Sequence, residues 1–239
     1  MNMSRRNLVL QEKMEDPDCD PVQLAATYRQ FAWMNRLVSG WIRIYRQWLR
    51  PVFRTASKPV SLLDAGCGGG DIAKRIMHWA QRDGFDLSIL GLDADARAIA
   101  FAREHNAHAR IAYRTDTLTH VEDEGLLFDV VLSNHVLHHL SDEETAHFLA
   151  STERLATRLA LHSDIRRSPV AYGLFKYCMP LLFHGSFTVE DGLTSIRKSY
   201  SPDEIASRLP AGWQVRTMFP WRLIVAKESE NDANGLHGA

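Results

Sequence analysis

A glycine-rich segment at 62–71 closes an apolar run and opens a helical pattern, in the order Leu-Leu-Asp-Ala-Gly-Cys-Gly-Gly-Gly-Asp. Glycine lets the backbone turn tightly and lets a ligand approach main-chain N–H groups without a side chain in the way. The dinucleotide fingerprint G-x-G-x-x-G requires glycine where this chain has Asp71, and no Lys-Ser or Lys-Thr follows as in a phosphate-binding loop. The spacing disfavours a nicotinamide oxidoreductase and predicts another loop-bound ligand.

A second carboxylate, Asp93, ends the next apolar run, 27 residues after Gly66. A carboxylate at this place can accept hydrogen bonds from both hydroxyls of a ribose. The other interpretation is a helix N-cap, a role for which Asp95 is the better candidate. Asp93 therefore supports adenosine binding without selecting the cofactor.

Polar residues follow two further apolar runs. Asp116 and Thr117 come after the third run and, taken alone, indicate only a turn. The run at 128–133 leads into Asn134, His135 and a histidine pair at 138–139. A buried strand that leads into a polar turn is what a site at the carboxyl edge of a parallel sheet requires.

The pattern D-x-G-x-G-x-G, with Asp64 as its leading acid, resembles motif I of the class I S-adenosylmethionine-dependent methyltransferases. The run 128–140 resembles motif IV of small-molecule methyltransferases related to quinone-biosynthesis enzymes. The resemblance implies S-adenosylmethionine as cofactor and S-adenosylhomocysteine as product. It also implies methyl transfer to oxygen or carbon of a small apolar or aromatic acceptor, such as a phenol, a quinone-like or a polyketide-like compound.

The resemblance also implies the cofactor contacts. The methionine part would face Gly66, Gly68 and Gly70, the amino group Asp64, the ribose Asp93 and the adenine Asp116. Their neighbours complete the predicted cofactor-binding set: Cys67, Ala94, Thr117, Asn134 and His135. For Asp64, a strand-end carboxylate satisfied by backbone N–H groups is the other interpretation.

Two residues are predicted to be catalytic. His135 could take the proton of a phenol-like acceptor, because the pKa of histidine lies near neutrality. Lining of the cofactor pocket without proton transfer is the equal alternative. Asp164, at the end of a later strand, is the polar candidate on the acceptor side. We expect His138 and His139 to pack at the next helix start, and we predict no metal.

Two other functions are open. A methyltransferase for tRNA or protein would use the basic N-terminal segment for docking, although Asn134 is not followed by the Pro-Pro-aromatic sequence of nucleobase amino-methylating enzymes. A non-catalytic domain could bind S-adenosylmethionine as a regulator. The net charge of −1 argues against a dedicated nucleic-acid binder.

The elements that position these residues alternate strands with helices. Strands are expected at 60–65, 87–92, 111–114, 128–133 and 159–162, and helices at 71–79, 94–105 and 142–155, the last with Ser141 as its cap. A further helix begins after Ser201, and 213–219 with 221–227 form a terminal hairpin. This predicts an α/β, Rossmann-like, seven-stranded and mostly parallel sheet with helices on both faces.

Two flanking regions complete the expected domains: an N-terminal helical cap at 1–55, and a methyltransferase domain at 56–228 with a cap insertion at 165–200. Residues 1–20 are expected to be loosely held, and 229–239 to be a disordered tail. The insertion carries an apolar and aromatic set that suits either a flat acceptor or a small satellite core: Tyr172, Phe175, Tyr177, Met179, Phe183, His184 and Phe187.

The N-terminal cap is basic. Apolar residues recur at helical spacing over 24–49, with a break expected at Ser39-Gly40 and an end at Pro51. Arginines recur every seven residues, at 29, 36, 43 and 50, so one helix would carry them as a stripe. The segment 28–54 is compatible with peripheral membrane contact or with a lid whose arginines are solvated. The latter is favoured.

The composition is that of a soluble protein of 239 residues, 45% hydrophobic and 24% charged. The three cysteines are scattered, which fits a reducing compartment. The first residues hold no apolar stretch long enough for a secretory signal, so the expected location is cytoplasmic.

Overall fold

The computed structural model describes residues 3–56 and 59–229. Its sheet has seven strands in the order β3-β2-β1-β4-β5-β7-β6. Strands β1 to β5 run parallel to one another, whereas β7 runs antiparallel to both β5 and β6. This confirms the predicted sheet and its terminal hairpin. The strands are β1 Val60–Ala65, β2 Leu87–Asp93, β3 Ile111–Thr115, β4 Phe128–Asn134, β5 Ala156–Ile165, β6 Gln214–Met218 and β7 Arg222–Glu228.

The helices between the strands follow their predicted caps. Ser141 and Ser201 each accept from the backbone N–H three residues on, and Glu144 and Glu204 complete the two capping boxes. The helices are α1 Pro21–Leu37, α2 Trp41–Ile44, α3 Arg50–Thr55, α4 Asp71–Arg82, α5 Ala96–His105, α6 Leu118–Asp123, α7 Asp142–Leu155, α8 Pro169–Cys178, α9 Thr188–Lys198 and α10 Pro202–Ala206.

Successive side chains of the strands enter different cores, because they point to opposite faces of the sheet. Leu62 joins the main core with residues of α2, α4 and α5, whereas Leu63 packs with residues of α6 and α7. Both side chains are fully buried. Helices therefore cover both faces, as predicted.

The N-terminal helical region differs from the prediction at Pro51. The break at Gly40 is confirmed, with Gly40 in the left-handed region at φ +70°. The prediction that Pro51 ends the helix was wrong, since a π-helical turn at Tyr45–Leu49 leads into α3 and the helix continues to Thr55. Proline cannot donate a backbone hydrogen bond, which disfavours it inside a helix. Burial of Val52 and Phe53 in the main core outweighs this loss and favours the continuation.

The arginines at 29, 36, 43 and 50 do not form one stripe. The first two lie on α1, the third on α2, and Arg50 begins α3 after the π-helical turn and pairs with Asp83 at 2.9 Å. Membrane contact of this segment stays a prediction. Within residues 3–56 and 59–229, no helix has the length and apolar character needed to cross a bilayer.

The segment before α1 packs on the domain, contrary to the expectation that it is loose. Arg6 donates to the carbonyls of Leu137, Leu140 and Lys198, and Glu12 is 4% exposed. Arg6 also donates to the carbonyl of His138 and pairs with Asp142 at 3.1 Å, so several contacts hold this segment against the domain. Of the predicted disordered tail, only Ser229 lies within the described residues. The predicted domain boundaries stay predictions.

Candidate active site

A cavity of about 310 Å³ lies at the carboxyl ends of β1, β2 and β4. From β1 the chain builds the sheet outward through β2 and β3, and then returns to add β4 and β5 on the other side of β1. The switch point therefore lies between β1 and β4, and open α/β sheets bind ligands at such points. Seven of the predicted site residues belong to the wall of the cavity: Asp64, Gly66, Cys67, Gly68, Asp93, Asn134 and His135. His138, which was expected to pack at the next helix start, also lines it.

The glycine loop directly follows β1 and lines the cavity. Gly66, Gly68 and Gly70 all have φ between +51° and +77°, a region that L side chains rarely adopt. A Cβ at Gly70 would lie 2.5 Å from Tyr113 Oη, whereas a Cβ at Gly68 would meet no protein atom within 4 Å. Gly70 therefore serves the packing of the loop, and Gly68 faces the open cavity.

Asp64 lies beneath this loop, 1% exposed, with neither carboxylate oxygen bonded to any described residue. Burial, reinforced by the nearby Asp71 and Asp93, raises the pKa of Asp64 to about 8. The interpretation that backbone N–H groups satisfy this carboxylate was therefore wrong. A buried acceptor without a partner is costly, so the site fits a ligand that brings an ammonium or N–H group.

Asp93 lies at the opposite side of the cavity, at the end of β2. Its carboxylate accepts from the backbone N–H groups of Gly68, at 2.8 Å, and Asp95, at 2.9 Å. Burial raises its pKa. Asp95, not Asp93, caps α5, as the sequence indicates, while the adjacent Ala94 is exposed and outside the cavity wall.

Asp116 and Thr117 lie outside the described wall of the cavity. The carboxylate of Asp116 accepts from Arg114 Nε at 2.6 Å and contacts His120, and Thr117 caps α6. The backbone N–H of Asp116 donates to the carbonyl of Asp93 at 3.0 Å, so Asp116 lies beside this site residue although it is not part of the described cavity wall. Their predicted adenine contact stays a prediction.

A polar cluster closes the cavity near the end of β4. His135 follows Asn134 with φ +63°, a left-handed conformation that is unusual outside glycine. The guanidinium of Arg222, on β7, donates to His135 Nε2 at 2.5 Å, Asn134 Oδ1 at 2.8 Å and Ser163 Oγ at 2.7 Å. Burial and the adjacent Arg222 hold the pKa of His135 well below its usual range. Sequence reasoning missed Arg222, although a charged residue in an apolar strand was a signal.

Asp164 is buried behind His138, and does not reach the cavity wall. Its carboxylate accepts from the backbone N–H of His138 at 2.9 Å and from His138 Nδ1 at 2.7 Å. Nε2 of His138 lies 3.3 Å from the carboxylate of Glu12, which also lines the cavity. Despite burial, the two carboxylates raise the pKa of His138 to about 9, so its imidazole carries a charge at neutral pH. Catalysis by Asp164 stays a prediction. Its two hydrogen bonds position the imidazole of His138.

Glu12, His138 and His139 place ligand-type atoms within 4.8 Å of one another, and among the described residues they are the group that could hold a metal ion. His138 already forms an ion pair with Glu12 there. The expected absence of a metal stays a prediction.

A second cavity, of about 290 Å³, adjoins the first and is mainly apolar. The two cavities share Met34, Asn35, His135, Ile165 and Phe175. Of the aromatic set in the insertion, Phe175 and Met179 line this cavity, Phe187 belongs to a satellite core with Tyr28, and Tyr177 is 72% exposed. The satellite-core interpretation therefore holds for Phe187, whereas a role of Phe175 and Met179 toward an acceptor stays a prediction.

Comparisons with known proteins find similarity to methyltransferases. Residues 62–158 match a family model described as a methyltransferase domain. The plantazolicin methyltransferase BpumL, solved with S-adenosylhomocysteine, aligns with a TM-score of 0.63 and 14% identity over 91% of this chain and 92% of its own. Human N-acetylserotonin methyltransferase aligns with a TM-score of 0.60 and 14% identity, over 86% of this chain and 56% of its own.

The family match covers the part of the chain that holds the glycine loop and strands β1 to β4. Curated relatives of the chain include a ubiquinone biosynthesis O-methyltransferase of Brucella ovis, 34% identical over 116 residues, or 47% of this chain and 44% of the relative. That of Brucella anthropi is 29% identical over 63% of this chain and 58% of its own. The chain thus spans about half the length of the curated relatives it matches.

Proposed function

We propose that this protein is an S-adenosylmethionine-dependent methyltransferase that acts on an oxygen or carbon of a small apolar or aromatic acceptor. The observation that carries the proposal is the meeting of two cavities at His135. One contains the unpaired Asp64 and the glycine loop, and the other has a mainly apolar wall. The first suits the polar cofactor, and the second suits the acceptor.

Residues of the first cavity fit the cofactor in a definite order. Asp64 would bind its amino group, the open face of Gly68 would receive its methionine part, and Asp93 would hold the ribose. When bound, S-adenosylmethionine supplies an electrophilic methyl group, whose bond to sulfur breaks as the acceptor's electron pair forms the new bond. The protein contributes position and exclusion of water.

His135 is proposed as a wall of the pocket and not as the general base. The Nε2 lone pair of His135 already accepts from Arg222, so proton abstraction there would require this bond to break first. Oxygen is the favoured acceptor atom, because the curated relatives are named O-methyltransferases.

Calorimetric titration with S-adenosylhomocysteine, followed by a screen of phenols and quinols with methyl-labelled S-adenosylmethionine, tests the proposal. We expect binding of the thioether and label in at least one phenol. Binding without turnover on any small molecule, RNA or protein would favour the regulatory alternative. No affinity for either form of the cofactor would overturn the proposal.

A further inference from the structure

Arg222 is buried at the inner end of β7, with 4% of its surface exposed. Three of its five N–H groups donate to neutral acceptors, namely His135 Nε2, Asn134 Oδ1 and Ser163 Oγ. These contacts hold the plane of the guanidinium fixed. Its Nε–H is buried and has no partner among the described residues.

No carboxylate of the described residues lies within 4.0 Å of this guanidinium. Arg167, which is 8% exposed, shows the ordinary solution, because it pairs with Glu204 at 2.6 Å. Burial lowers the pKa of Arg222 to about 10, which leaves it protonated at neutral pH. The nearby carboxylate of Asp164 counteracts part of this lowering, but it is hydrogen-bonded to His138 and forms no ion pair with Arg222. A buried cation without a bonded carboxylate is costly, so this position favours an anionic ligand.

Arg222 lines the second cavity. Among the described residues that line this cavity, Arg222 is the only one whose side chain carries a charge at neutral pH. The remaining wall is mainly apolar, with Leu174, Phe175 and Trp221 as its large side chains. One fixed cation in an apolar wall is the arrangement that selects a hydrophobic anion, since a neutral analogue can accept a hydrogen bond but leaves the buried charge uncompensated.

We propose that Arg222 binds an anionic oxygen of the acceptor, so that the substrate class is an apolar, aromatic phenolate or carboxylate. This inference rests on the proposed function for its site. For a phenol, the hydroxyl proton passes to water on binding and Arg222 holds the oxygen as phenolate. The oxygen's electron pair then forms the C–O bond while the methyl–sulfur bond breaks, giving a neutral ether and a thioether. No protein base is required, which agrees with the occupied lone pair of His135.

The test uses the full chain with S-adenosylhomocysteine and two kinds of probe. The first is the pair 2-naphthoate and 2-naphthamide, which match in shape and differ in charge. The second is 4-nitrophenol, whose absorbance reports ionisation of the bound phenol directly. The variants are Arg222→Gln and, as a matched control, Arg216→Gln on the neighbouring strand, where the guanidinium is exposed over the Trp48 ring.

We expect the wild type and Arg216→Gln to bind naphthoate about tenfold to a hundredfold more tightly than naphthamide, and to bind 4-nitrophenol as its phenolate at a pH below its free pKa. In Arg222→Gln both preferences should disappear. If only naphthoate shows the preference, the anion is a second acidic group of the acceptor; if 4-nitrophenol shows it too, the anion is the reacting oxygen.

Equal affinity of the wild type for naphthoate and naphthamide, with no ionisation of bound 4-nitrophenol, would overturn the inference. This outcome is measured on the wild type, so it remains decisive even if Arg222→Gln fails to fold. In that case Arg222→Lys, which keeps the positive charge, is the second variant. Failure of S-adenosylhomocysteine to bind would instead contradict the proposed function. A preference for the anionic probe measured without S-adenosylhomocysteine would still support the inference about Arg222.

Discussion

Nη1 of Arg222 lies 2.5 Å from Nε2 of His135, so a guanidinium from the last strand occupies the lone pair of the histidine that follows β4. The pair joins the two cavities, because His135 lines both and Arg222 lines the apolar one. A histidine held in this way is neutral at physiological pH and orients its partner, which makes it a positioning residue in the proposed reaction.

His135→Asn tests that role. Asn tolerates the left-handed backbone at this position better than Ala does, so the variant isolates the imidazole from the φ of +63°. We expect its kcat/KM to fall by less than about a hundredfold, and its pH profile between about pH 6 and pH 8 to keep the wild-type shape. Methyl transfer to a phenol as a function of pH provides the measurement. A wild-type profile with an inflection near pH 6.5 that the variant lacks would restore His135 as a base.

Gly68→Ala and Gly70→Ala form a matched pair, since both glycines have left-handed φ but different surroundings. A methyl group at Gly68 would enter the open cavity, so we expect a stability loss of only about 1 kcal/mol together with a large loss of S-adenosylhomocysteine affinity. A methyl group at Gly70 would overlap the Tyr113 ring, 2.5–2.7 Å away, so this variant should lose more stability.

Chemical denaturation and calorimetric titration of both variants measure these effects. If Gly68→Ala bound S-adenosylhomocysteine like the wild type, the cofactor could not lie over the loop as proposed.

Asp64→Asn should stabilise the protein without ligand and weaken cofactor binding. With the pKa of Asp64 raised to about 8, folding favours its protonated form. The wild type therefore keeps this contribution below about pH 4 and loses it as the pH rises through 8. Removal of the charge should increase the free energy of unfolding by about 1–3 kcal/mol at pH 7.5, and by less near pH 4.

Urea unfolding at the two pH values, with S-adenosylhomocysteine titrations beside it, separates the two effects. Asp71→Asn is a useful comparison, because Asp71 already accepts from Asn35 Nδ2 at 3.2 Å and should show the smaller change. A destabilised Asp64→Asn variant with unchanged affinity would contradict both the unpaired state of Asp64 and its role toward the cofactor.

The order of the strands and helices, and the site residues that directly follow strands, were predictable because their sequence signals are local. A glycine loop after an apolar run fixes where the chain turns, and parallel strands bring Asp64, Asp93 and Asn134 to one edge whatever the loops do. Asp116 was not predictable in this way, since its ion pair with Arg114 competes with any ligand and depends on side-chain distances across a turn.

Long-range contacts explain the other differences. Arg222 is 87 residues from His135 in sequence. A charged residue in an apolar strand signals an unusual position, but its partners can be identified only once the strand order is known. Glu12 is similar: nothing in its polar neighbourhood indicates that it is buried against His138. Such pairings depend on the tertiary fold alone, which single-sequence patterns do not contain.

The ion pair between His138 and Glu12 predicts that the N-terminal segment is held to the domain in a pH-dependent manner. With the pKa of His138 raised to about 9, its stabilising contribution is complete below the unfolded value near 6.5 and is lost as the pH rises through 9. Asp164 and Glu12, whose pKa values are lowered, act oppositely and lose their contribution only in acid. The segment should therefore be most firmly docked between about pH 5 and pH 6.5.

Hydrogen exchange of the amides of residues 7–16 at about pH 7 and pH 10, corrected for intrinsic rates, measures this docking. We expect protection to fall by about 1–3 kcal/mol in the wild type at the higher pH. Glu12→Gln should show weaker protection at pH 7 and little further change at pH 10, because the neutral amide has no ion pair to lose. Glu190→Gln, whose partner Lys13 is exposed, is the control and should follow the wild type. Equal protection of the wild-type segment at both pH values would show that the His138 charge does not hold it.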